Sequence, residues 1–308
     1  MILHSLLRPQ VILAALLTLL PVLGAAFFPS RVAAFADALP RAARLACPVL
    51  LCVPYALLAS AFGIFRWGWL ALYALLPVAI AVLLSQARSA DPDGQGNWRD
   101  YLILAVLGLA VDLRWFEPAW PPGLAAAGKM LLLDAGIFGF LAVRQLDGVG
   151  FDLRLRWRDA GIGLREFCFY APLAIPLGLA LGFLHFHASW PSPLRAAGAF
   201  LFTFLFIAIP EELFFRGWLQ NLLERRLGRN AALLATALLF GLAHWNKRTT
   251  NFNWRYVLLT GQSVPIFIQA VGSFLISARI LMSRFESLRR RLRALPFGRE
   301  RRNISMTC

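Results

Sequence analysis

Glu211 and Glu212 stand side by side, Glu212 four residues ahead of Arg216, at the end of an apolar run from Ala199 to Pro210 that is broken by Thr203. Moving a carboxylate into hydrocarbon costs about 2.5–3.5 kcal/mol on membrane-insertion scales. Two of them at the edge of an apolar segment therefore need a partner or a task. On a helix Glu212 and Arg216 share a face and neutralise each other. Glu211 points about 100° away and need not compete for that partner. The pattern reads as one structural ion pair and one carboxylate available for work.

The next apolar segment ends in Phe240-Gly241-Leu242-Ala243-His244. A lone histidine on an apolar helix is more often a hydrogen-bonded core residue than a catalyst. This one lies one segment after Glu211. Helices joined by a short basic turn, here Arg225, Arg226 and Arg229, are antiparallel neighbours. At about 1.5 Å per residue, Glu211 and His244 reach depths within roughly two turns of each other. A carboxylate and an imidazole meeting in a wet intramembrane cavity can activate water.

Composition sets the frame for these residues. The chain has 308 residues, is 59% hydrophobic and has a mean hydropathy of +0.64, well above the apolar share of water-soluble domains. Apolar runs of about 18 or more residues recur, each long enough to cross a bilayer. The fold class expected is all-α, a polytopic transmembrane helical bundle of eight to nine spans. The net charge of +15 suggests nucleic acid at first sight. Its arginines, however, sit between apolar spans and in the tail, where positive loops on the cytoplasmic side explain them without such a partner. Lys129 and Lys247 are the lysines, and the remaining basic residues are arginine. With abundant Ala, Leu, Gly and Pro, this usage suggests a GC-rich bacterial genome. Cys47, Cys52, Cys168 and Cys308 fit neither a zinc pattern nor a disulfide framework.

The spans are read as about Val11–Phe28, Leu45–Phe65, Gly68–Gln86, Tyr101–Leu113, Gly123–Val143, Phe167–His185, Ala197–Leu223 and Ala231–Trp245, with a last apolar stretch beyond. The first span resembles a secretory signal in its flanks, but further spans follow and a membrane anchor, the preferred reading, explains it as well. Asp91-Pro92-Asp93-Gly94 marks a polar loop. Lys129 and Asp134 fall inside the fifth span, as a functional pair or, on the preferred and plainer reading, as a satisfied structural contact or a case of snorkelling. Residues 151–157 alternate with a strand-like period, but Trp157 and the arginines suit an interfacial segment. Arg31, Arg41 and Arg44, then Arg88 and Arg99, then Arg144 to Arg165, then Arg225, Arg226 and Arg229 fall on alternate loops, hence on one side, which is placed in the cytoplasm.

Glu-Glu-x-x-x-Arg followed by Phe-x-x-x-His on the next helix resembles the CPBP family of intramembrane glutamic endopeptidases, which includes the type II CAAX prenyl proteases and bacteriocin-processing or self-immunity proteins. The resemblance covers about Ala197 to Leu258. It implies that Glu211 is the general base on an attacking water and that His244 holds and polarises that water. It implies that Glu212 and Arg216 maintain the helix geometry and that Phe240 packs beside the site. Cleavage would proceed by direct attack of water on a peptide bond. The expected partners are a membrane-associated protein or peptide substrate and the lipid bilayer, with no nucleic acid. No cofactor is expected; zinc on Glu211, Glu212 and His244 is the alternative, but the usual further ligand is not visible. The family's third motif, His-x-x-x-Asn on a later helix, is not present: the histidines are His4, His185, His187 and His244.

The chain is thus divided into N-terminal spans without a nameable motif (1–150), a protease-like core (151–260) and an atypical apolar stretch with a basic tail (261–308). Leu281, Phe285, Leu288, Leu292 and Leu295 lie on one helical face of that tail, and the arginines lie off it. The leading function is intramembrane proteolysis in a bacterial cytoplasmic membrane. A non-catalytic membrane scaffold or immunity protein is the alternative, and a transporter using Lys129, Asp134 and Glu211 is a third, against which stands the lack of an internal repeat.

Overall fold

The computed structural model describes residues 8–149, 153, 157–180 and 191–244. Among them the fold is all-α, and no strand is present. We number the helices α1 (Pro9–Phe27), α2 (Pro29–Ala38), α3 (Arg41–Ala61), α4 (Trp67–Ala90), α5 (Trp98–Asp112), α6 (Ala125–Arg144), α7 (Trp157–Ala180), α8 (Pro193–Leu227) and α9 (Arg229–Ala243). Six of them (α1, α3, α4, α6, α7 and α8) are long and apolar enough to cross a membrane. Their outer faces carry Leu16, Leu20, Leu75 and Leu173 more than half exposed. Such continuous apolar surface suits lipid and not water. The chain is a multi-pass membrane protein. Helices α5 and α9 have 15 residues each, about 22 Å at 1.5 Å per residue, short of a hydrocarbon core of about 30 Å. Two of the expected spans are therefore helices without the length of a full crossing.

Two further expectations change. The basic stretch after α1 is helical and not an open loop: Pro29 starts α2 and Arg41 starts α3. The helix α7 begins ten residues before the expected Phe167, at Trp157. The strand-like stretch 151–157 lies mostly outside the described residues, as do the last apolar stretch and the basic tail.

Tight helix contacts build the core of the N-terminal half. A Cβ on Gly136 of α6 would lie 2.5 Å from the Trp218 ring, and one on Gly108 of α5 would lie 2.9 Å from Phe214. Only glycine lets α8 approach these helices so closely. Near the far end, Trp120 donates to the Tyr73 hydroxyl at 2.7 Å, beside stacked Tyr55 and Tyr73.

Lys129 and Asp134 do not form a pair. Five residues on a helix turn about 140°, so the two face different neighbours. Asp134 is completely buried, and neither carboxyl oxygen has a hydrogen-bond partner among the described residues. The expected satisfied contact is thus not found there.

At one end of the bundle a charged cluster ties loops together. Arg144, at the end of α6, reaches Asp100 at 2.9 Å and Asp91 at 2.5 Å. Asp100 also accepts from the Asn97 backbone N–H at 2.9 Å, capping the start of α5. Arg225 donates to the carbonyls of Gly94 and Asp147, and Arg226 to that of Gly96. Gln145 donates to Asp37 of α2. Of the basic residues expected on one side, Arg44, Arg88, Arg144, Arg225 and Arg226 gather at this end.

Burial tends to raise the Asp91 carboxyl pKa. The N–H groups of Gln95 and Gly96 and the Arg144 guanidinium outweigh it and hold the pKa below the usual value. A carboxyl depressed in the folded state contributes stability above its unfolded pKa and loses it as pH falls through the folded one. We therefore expect thermal unfolding in detergent to show an acid-side loss of stability that is smaller in Asp91→Asn; identical pH profiles for the two proteins would refute this. Removing one partner of a buried ion pair costs about 3–5 kcal/mol, so Asp100→Asn should lower the melting temperature more than Asp91→Asn does.

Candidate functional site

The site is built on the hairpin of α8 and α9, joined at Gly228, whose φ of 77° is readily available to glycine. Glu211 lies seventeen residues before Gly228 and His244 sixteen after it. Antiparallel helices of equal rise therefore bring them to one depth.

Helix α8 is not regular at the acidic pair. The short α-helical stretch Ile209–Glu212 lies between two wider π-helical ones, Phe204–Ala208 and Leu213–Gln220. Pro210 accounts for the first. It has no N–H to donate, and its ring crowds the carbonyl a turn earlier, which a wider turn relieves. The expectation of a uniform α-helix is corrected here, yet the spacing of the motif survives. Arg216 donates to Glu212 Oε1 at 3.0 Å, with the Glu212 side chain completely buried and that of Arg216 14% exposed.

Glu211 turns to a different neighbour. Its Oε1 lies 3.9 Å from His244 Nε2, with side-chain exposures of 31% for Glu211 and 10% for His244. The other ring nitrogen of His244, Nδ1, is 2.9 Å from the Phe240 carbonyl oxygen. The Phe240 ring packs on the imidazole with centroids 4.5 Å apart and meets Phe215 of α8 edge-on at 4.8 Å. The structure thus brings together all five residues singled out in the sequence: Glu211, Glu212, Arg216, Phe240 and His244. Phe215 was not singled out. Its position four residues after Glu211, on the same face, is the signal that would have found it.

As a donor set for zinc the site fits poorly. Glu212 is held by Arg216, and among the described residues no three His, Cys, Asp or Glu side chains gather as a metal site would require. Chemically, a carboxylate and an imidazole nitrogen about a water's width apart can share one bridging water and take a proton from it. Gln262, Ser263, Gln269 and Ser273, the polar residues of the last apolar stretch that are candidate substitutes for the missing third motif, lie outside the described residues.

Comparison with curated proteins and with solved structures gives no match. Comparison with protein families gives one, over residues 192–280. It starts at the residue before α8, takes in both motifs and continues past Leu258, the expected end of the resemblance, to residue 280. Over that segment the chain carries the pattern of the Rce1-like family, the type II CAAX prenyl endopeptidases.

Proposed function

We propose that the chain is an intramembrane endopeptidase that hydrolyses a peptide bond of a membrane-associated protein or peptide. The observation that carries this reading is the 3.9 Å approach of Glu211 to His244 within the segment that matches the CAAX endopeptidases. Glu211 is the general base and His244 holds the water. The water oxygen bonds to the carbonyl carbon as one of its protons passes to Glu211. The tetrahedral intermediate then collapses with cleavage of the C–N bond, and the proton on Glu211 passes to the leaving nitrogen. No covalent enzyme intermediate and no metal take part. Glu212 and Arg216 keep their mutual pairing throughout and hold α8 in register. The protein resides in a bacterial cytoplasmic membrane, with the arginine-rich end of the bundle on the cytoplasmic side.

A second reading is a non-catalytic scaffold or immunity protein on the same framework. The absence of any histidine beyond His244 favours it, because an oxyanion donor is worth about 100- to 1000-fold in rate and the family's third motif would supply one.

Mass spectrometry of membrane-protein termini in the host separates the two. General-base catalysis is worth about 100- to 10,000-fold, so strains carrying Glu211→Gln or His244→Ala should lose a set of processed termini found in the wild type. Termini unchanged in both strains would overturn the peptidase reading and leave the scaffold. Arg216→Ala should act differently: it strands a buried carboxylate and should lower folding stability by about 3–5 kcal/mol, seen as a fall in melting temperature that Glu211→Gln does not share.

A further inference from the structure

We propose that Phe215 is a positioning residue: acting through Phe240, it fixes His244 as the tautomer protonated on Nδ1, so that the Nε2 lone pair faces Glu211. Its catalytic meaning rests on the function proposed above; its physical claim concerns the ring alone.

The proton is placed by the partner. Nδ1 of His244 lies 2.9 Å from the Phe240 carbonyl oxygen. A carbonyl oxygen can only accept, so Nδ1 must donate. A neutral imidazole has one such proton, which leaves Nε2 as an acceptor. The atom it faces, a carboxylate oxygen of Glu211 at 3.9 Å, is an acceptor as well. Two acceptors do not bond each other; the group that joins them must donate twice. Water does so: with both hydrogen bonds at about 2.8 Å, the angle at its oxygen is roughly 90° for this separation. Both its protons are then engaged and its lone pairs point away, toward an incoming carbonyl carbon. The tautomer therefore selects a neutral double donor for the site.

That orientation depends on the ring being held. The imidazole is the last member of a row of aromatic contacts. Phe240 packs on His244, Phe215 on Phe240 at 4.8 Å and 78°, and Phe214 on Phe215 at 4.9 Å and 76°. Trp218 follows Phe214, and Phe140 of α6 follows Trp218 at 5.1 Å. Phe215 is the member that crosses from α8 to α9. Without Phe215 against it, the Phe240 ring loses its backing on the α8 side, and His244 gains room to turn about χ2, which takes Nδ1 away from the Phe240 carbonyl and Nε2 away from Glu211.

The test uses the full chain labelled with [15N]histidine in nanodiscs, with His244→Ala assigning the signal. Wild type should show Nδ1 protonated and Nε2 unprotonated at neutral and mildly alkaline pH. Phe215→Leu should give signals averaged between the tautomers, and Phe215→Tyr, which keeps the ring, should restore the wild-type pattern. In the host, Phe215→Leu should lower the yield of Glu211-dependent termini by about 3- to 10-fold, the scale of one aromatic contact, and Phe215→Tyr should recover it. A wild-type His244 protonated on Nε2 would overturn the proposal, as would a Phe215→Leu protein of unchanged melting temperature whose tautomer stays fixed. A tautomer fixed in wild type and averaged in Phe215→Leu, together with no Glu211-dependent termini in any strain, would instead refute the peptidase reading while upholding the role of Phe215 in holding the ring.

Discussion

The contact between Arg216 and Glu212 decides how the site works. Two carboxylates stand next to each other in sequence, and one imidazole lies within reach of that turn of α8. The guanidinium takes Glu212, whose side chain is completely buried. In a medium of low dielectric an ion pair so enclosed is hard to open, since parting it strands a charge. Glu212 is thereby committed to its own helix. The carboxylate turned toward α9 is Glu211, and its distance from His244 follows from the direction in which the pair holds the turn.

Holding α8 is in turn a task of the N-terminal half, which carries no motif of its own. At the basic end Arg225 and Arg226 reach backbone carbonyls of the turn before α5, and Arg225 also reaches Asp147. That turn is itself tied to α6 through Arg144, Asp91 and Asp100. Deeper in the bundle, Gly108 and Gly136 admit the rings of Phe214 and Trp218. The lower part of α8 is thus fastened at its end by hydrogen bonds and along its side by ring packing. Rigid elements of this kind are what keep a constellation of two side chains within catalytic geometry.

Much of this was legible in the sequence because it depends on local spacing. The Glu212–Arg216 pair follows from four residues on a helix, and the common depth of Glu211 and His244 follows from counting residues either side of Gly228. Other features had no local signal. Arg144 meets partners 44 and 53 residues away, and charge spacing along the chain does not report such pairs. The widened turn before Pro210 arises from a clash that a regular helical wheel ignores. The satisfied contact expected at Asp134 also had no local signal for or against it: five residues separate Lys129 from Asp134 by more than a third of a turn, and the other helices packed round Asp134 supply no partner among the described residues.

Asp134 and Glu211 are both acids within membrane-spanning helices, and burial alone would rank Asp134 as the more unusual. Its side chain is sealed on every side, with no hydrogen-bond partner among the described residues. Chemistry with water needs a route for water and a second group to orient it. Glu211 has that second group, an imidazole nitrogen 3.9 Å away, and its side chain is 31% exposed where that of Asp134 is sealed. For the hydrolysis proposed above, it is the facing partner and the partial exposure that single out Glu211 over Asp134, and the hairpin of α8 and α9 supplies that partner.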